Sequence, residues 1–160
     1  HRDLHSFPTR RSSDLVLSII SSGSIISKLA YEVTGGMDVD LFIDSVDFEW
    51  CWRAKSLGYG TYIAKQVYLG HRVGEGDISV LGLFNLQRPQ PFRHYYQFRN
   101  RVILMKRSYT PLYFKIRSVI LMPIEFFIYS LLVYPRIKRF KMMSIGLFDG
   151  LRNKKGKFNE

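Results

Sequence analysis

A single cysteine, Cys51, stands in 160 residues, so no internal disulfide can form and folding needs no oxidising compartment. Nor is there any Cys/His cluster at zinc spacing. Internal repeats and low-complexity runs are missing too, and residues 1–15 hold no apolar core of the kind a signal peptide carries. Acidic residues are scarce, 13 against 24 Lys and Arg, which leaves a net charge of +11. What is present is a 46% hydrophobic content, ordinary for one globular domain with a real core.

The positive charge is unevenly placed. Residues 16–105 carry nine Lys/Arg against eight Asp/Glu, a balance of +1, whereas residues 106–160 carry twelve against three, a balance of +9. The basic character therefore sits beside the most apolar run of the chain, residues 118–135, a placement that favours an anionic membrane surface over nucleic acid. That run approaches the roughly 20 residues a spanning helix needs, but Glu125 and Pro123 interrupt it. A helix or helix pair lying in the interface, with basic flanks on headgroups, is the expectation. A hydrophobic helix packed on its own domain or on a second copy is the alternative.

Along the chain, residues 16–20 form a β-branched run suited to a buried strand, broken by Ser21, Ser22, Gly23 and Ser24. Ile25, Ile26, Leu29, Ala30 and Val33 then fall on one helical face, closed by Gly35 and Gly36. Val46, Trp50, Ala54 and Leu57 recur at three and four, predicting an amphipathic helix whose first turn holds Asp47 and Glu49. Residues 61–64 and 67–69 are short strand candidates, residues 70–77 a Gly-rich loop carrying His71, and residues 92–107 a second helix. The closing residues 146–158 read as a basic, Gly-containing segment.

Two resemblances emerge. Residues 1–15 read like the translation of a sequencing-library adapter and are expected to be a disordered addition, a native basic arm being the alternative. From Ser22-Gly23-Ser24 through Gly35-Gly36-Met37-Asp38, Asp44 to Arg53, Gly58-Tyr59, His71-Arg72-Val73-Gly74, Tyr95 to Arg101 and Gly146 with Asp149-Gly150-Leu151, the rest resembles glycosyltransferase family 2 enzymes, in particular their rhamnosyltransferase-like branch. The resemblance implies an α/β fold, the C-terminal half of a Rossmann-like GT-A domain over residues 16–107; the apolar run and its basic flanks add the expectation of a helical, membrane-associating tail over residues 108–160. The resemblance also implies inverting transfer of a sugar, L-rhamnose from dTDP-rhamnose, to a growing lipid-linked saccharide of a bacterial surface polysaccharide. The setting would be the cytoplasmic face of the plasma membrane, with a homo-oligomer possible and nucleic acid not a partner.

In that family the carboxylate at the position of Asp47 acts as general base. A sugar hydroxyl is a poor nucleophile and must lose its proton as it attacks the anomeric carbon. Family members often carry Glu-Asp here; this chain has Val46-Asp47, so only the second acid carries over. Asp44 and Glu49 would shape the field or hold acceptor hydroxyls, and Ser22 and Gly23 would line the acceptor pocket. Read without the resemblance, these acids are solvated charges at a helix start, worth roughly 0.3 to 1 kcal/mol each. His71 would complete a divalent-metal site, Mg²⁺ or Mn²⁺, at the donor diphosphate. Arg99 and Arg101 would reach that diphosphate; being two apart they cannot share one helical face, so one of them is expected to pack on Tyr95, Tyr96 or Phe98. The family places its metal-binding Asp-x-Asp earlier than the motifs matched here, so the chain alone is expected to be inactive. A nucleic-acid-binding module and a membrane-anchored scaffold are the competing readings.

Overall fold

The computed structural model describes residues 13–68, 70, 77–80, 84–87 and 89–158. Helices dominate: α1 (Lys28–Thr34), α2 (Val46–Ser56), α3 (Pro91–Met105), α4 (Leu112–Leu132) and α5 (Arg136–Leu151). The described strands form two antiparallel pairs, β1 (Ser13–Val16) with β2 (Thr61–Ala64), and β3 (Asp77–Val80) with β4 (Phe84–Gln87). The α/β expectation therefore holds only coarsely, because no parallel sheet occurs among the described residues.

Local chemistry explains the boundaries. Helix α1 starts three residues later than its apolar spacing predicts, because the Ser27 hydroxyl caps the Ala30 amide at 3.2 Å. It ends at Gly35, whose φ of 78° is the left-handed cap that glycine takes without strain. The strand expected over residues 16–20 is displaced to Ser13–Val16, since Ile19 instead packs with Trp50, Cys51 and Ala54. Residues 13–15, expected to be disordered, pair with β2, and Lys65 Nζ sits 2.8 Å from the Asp14 carboxylate; residues 1–12 lie outside the described residues. Val67 and Tyr68 belong to no strand, and Leu69 lies outside the described residues.

The tail departs most from expectation. Residues 146–151 are the last turns of α5, which lies along α3. Gly146 and Gly150, four apart and so on one face, allow this approach: a Cβ on Gly146 would stand 2.4 Å from the Tyr95 carbonyl oxygen, and one on Gly150 2.8 Å from that of Arg99. Helix α4 runs straight through Pro123 and packs beside them, closing a core of Phe98, Val102, Met122, Tyr129, Val133 and Met143. Among the described residues no helix is long and apolar enough to cross a membrane.

Candidate functional site

Helix α2 is entered through an unusual backbone. Phe42 has φ 63° and ψ −68°, with the Ile43 amide donating to the Leu41 carbonyl at 2.8 Å: the rare γ-turn with positive φ. Asp44 and Ser45 follow with φ of 60° and 66°. Non-glycine residues in such conformations cost roughly 1–3 kcal/mol each and persist only where the surroundings over-determine them.

Helix α3 supplies that determination. The Asn100 side-chain amide donates to the carbonyls of Leu41 (3.0 Å), Ile43 (2.7 Å) and Asp44 (2.9 Å). Arg99, fully buried, donates to the carbonyls of Asp40 and Leu41 and to that of Gly156, while its guanidinium lies 5.3 and 5.0 Å from the ring centres of Tyr95 and Tyr96. About two turns earlier, Arg93 pairs with the Asp44 carboxylate. Three residues of one helix thus clamp the loop that leads into α2. At about 1 kcal/mol net per hydrogen bond, the Asn100 contacts alone match the lower end of the strain they hold.

Asp47 occupies the first turn of α2, where the helix dipole favours an ionised carboxylate. It is half-buried, and its Oδ2 accepts from the Ser21 amide at 3.0 Å. The structure therefore brings Asp47 to the Ser21–Ser24 turn that holds Ser22 and Gly23, with φ of 74° at Gly23. Between them, bounded by Ile20, Ser24, Met37, Asp47 and Trp50, is a hollow of about 20 Å³. That is room for one water-sized group, such as a hydroxyl, but not for a sugar ring.

The other predicted site residues that are described lie apart from this hollow. Glu49 is fully buried; its Oε1 accepts from Arg53 and Arg107, each at 2.8 Å, and from the Tyr109 hydroxyl, and its Oε2 accepts from Arg53 at 3.0 Å. Arg107 also pairs with Asp38. The Arg53 guanidinium is held above its ordinary value by its hydrogen bond to Glu49, and Tyr109 is pushed up to about 12 by burial and by the same carboxylate. Arg53 further donates to the carbonyls of Thr34 and Gly36, tying α2 to the end of α1. Glu49 thus anchors a buried charge network, and both its oxygens face protein. Arg101 pairs with Glu125 of α4, and Arg99 is engaged as above. His71 lies outside the described residues. Among the described residues no three His, Cys, Asp or Glu side chains converge to hold a metal. Asp38, Asp44 and Glu49 are each paired with arginine.

The clamp was not foreseeable from spacing. Asn100 meets its carbonyls across 56 to 59 residues, and Arg107 meets Asp38 across 69, so no local signal marks them.

Over 133 residues the chain is 33% identical to the dTDP-rhamnosyl transferase RfbF of Shigella flexneri. The chain resembles a rhamnosyl transferase. The match takes in 83% of this chain and 45% of RfbF, so the chain spans less than half the length of that curated relative. No protein-family model matches the chain, and no solved structure matches it. The likeness to RfbF supports a coarse reading of the chain as glycosyltransferase sequence.

Proposed function

We propose that this chain is the acceptor-side part of an inverting glycosyltransferase of GT-A type, with Asp47 as the general base that deprotonates the attacking sugar hydroxyl. The single observation that carries the reading is Asp47 itself: a half-exposed carboxylate on the first turn of α2, beside a hollow of hydroxyl size, in a chain similar to RfbF. An ionised carboxylate there takes the hydroxyl proton as the oxygen bonds to the anomeric carbon and the nucleoside diphosphate leaves from the opposite face. The strained and clamped loop at residues 42–45 fixes where the carboxylate points, which is what a base must have before geometry-dependent proton transfer is efficient.

The donor of this reading is dTDP-rhamnose, after the name of RfbF, and the acceptor a lipid-linked saccharide. His71 would serve a divalent cation at the departing diphosphate. Arg99 and Arg101, engaged internally, act in this reading by holding the loop and α4 in place.

The test is a chimera in which this chain's 133 matched residues replace their counterparts in RfbF, assayed for rhamnosyl transfer with and without Asp47→Asn. The reading expects transfer by the chimera and a loss of about 10²- to 10⁴-fold in the variant. An Asp47→Asn chimera as active as its parent sinks the assignment of the base.

A further inference from the structure

Helix α4 is apolar on both sides. Ser118, Met122 and Tyr129 face the protein. On the opposite side Tyr113, Ile116, Ile120, Ile124, Phe127 and Leu131, spaced three and four apart, each leave 47–62% of their surface open. Helices of globular proteins normally cover one face and present polar residues on the other. An open apolar stripe running about five helical turns is therefore a docking face. It continues across the turn into α5 with Tyr134, 77% exposed, and Ile137, 85% exposed. Beside that turn opens a cleft of about 1040 Å³ whose walls include Leu132, Ile137, Met142 and Ile145 and whose rim carries Arg136, Lys138 and Lys141.

Charge selects the occupant. Among the described residues, the only acids of this hairpin, Glu125 and Asp149, are turned inward onto Arg101 and onto Tyr95 with Lys154. Arg117, Arg136, Lys138 and Lys141 have no acidic partner among the described residues. A second copy would bring the same positive face against this one, and like charges across an interface oppose association. The geometry points to an anionic membrane surface: α4 lies in the headgroup layer with its open stripe toward the acyl chains, and the basic rim of the cleft contacts lipid phosphates. No helix needs to span for this to work. The inference stands on the α4–α5 hairpin alone and does not depend on sugar transfer or on Asp47.

The experiment is co-sedimentation of the purified 160-residue chain with vesicles of phosphatidylcholine alone or mixed with phosphatidylglycerol, over a salt series. Binding should require phosphatidylglycerol and weaken with salt. Each basic residue near an anionic surface contributes about fivefold to partitioning, so the combined variant Arg136→Gln, Lys138→Gln, Lys141→Gln should lose roughly 100-fold. Ile120→Ser with Phe127→Ser should lose roughly tenfold or more, with circular dichroism unchanged. If the apolar variant misfolds, the charge variant decides, since its three side chains are solvent-exposed. Equal binding to both vesicles, or full binding by the charge variant, overturns the inference. So does a stable dimer that shields the stripe and ignores vesicles.

Discussion

Mild acid should loosen the α3–α4–α5 core through one residue, His94. Its ring is fully buried, tilted against that of Tyr129 with centres 4.4 Å apart, and its Nε2 lies 2.6 Å from Nη1 of Arg139. A guanidinium can only donate, so Nε2 is the acceptor and the proton of the neutral ring resides on Nδ1, which finds no partner. Protonating Nε2 would set a second cation against Arg139 inside the core. Burial, and then the charges of Arg139 and Arg101, lower the His94 pKa from 6.5 to about 3. Because the folded value lies below the unfolded one, the unfolded chain takes up the proton first. The contribution of the neutral ring is thus complete above about pH 6.5, shrinks as pH falls, and is gone near pH 3. At 1.36 kcal/mol per unit the full effect is roughly 5 kcal/mol, and by pH 5 about 2 kcal/mol is lost. Urea unfolding of the parent and of His94→Gln between pH 7.5 and 5 measures it. Gln keeps an acceptor for Arg139 but cannot titrate, so any constant offset between the two proteins drops out and only the slope matters. The stability difference should be flat above about pH 6.5 and then move in favour of the variant by up to about 1.4 kcal/mol per unit. Parallel curves across the range would refute the buried, neutral His94.

Three substitutions probe the framework. Gly146→Ala places a methyl where the Tyr95 carbonyl stands, and backbone cannot step aside as a side chain can, so a loss of about 1–3 kcal/mol or more in urea unfolding is expected. Gly35→Ala, with open space around it, should be limited to the smaller left-handed backbone strain. Asn100→Ala removes three hydrogen bonds from the loop entering α2, for an expected loss of about 2–3 kcal/mol and faster amide exchange at the Ile43 amide; unchanged exchange there would contradict the clamp.

Sequence periodicity reveals the helices whose apolar residues face one way. α2 stands where the three-and-four spacing puts it, α3 matches the helix expected over residues 92–107, and Gly35 closes α1 where a C-cap glycine belongs. It misleads where a residue serves tertiary contact. Gly146 and Gly150 look like loop residues in a linear string, yet they are the flat face on which α5 meets α3. Glu49 and Arg99 look like site residues because they are charged and near motifs. Their partners, Arg107 and the carbonyls of Asp40 and Leu41, lie about 58 residues away and are visible only after folding. Asp47 stands in the first turn of α2, where the spacing puts it. Helix position alone explains its placement, and only its long-range bond to the Ser21 amide ties it to the turn that carries Ser22 and Gly23.

That residue carries the central claim, and exchanging its acid for an amide isolates chemistry from structure. Asp47→Asn keeps the shape and an oxygen for the Ser21 amide, so unfolding of the chain should shift by no more than about 1 kcal/mol. In the RfbF chimera the same change should abolish rhamnosyl transfer by about 10²-fold or more while the dTDP-rhamnose affinity holds. Undiminished transfer by the Asn chimera would contradict the account.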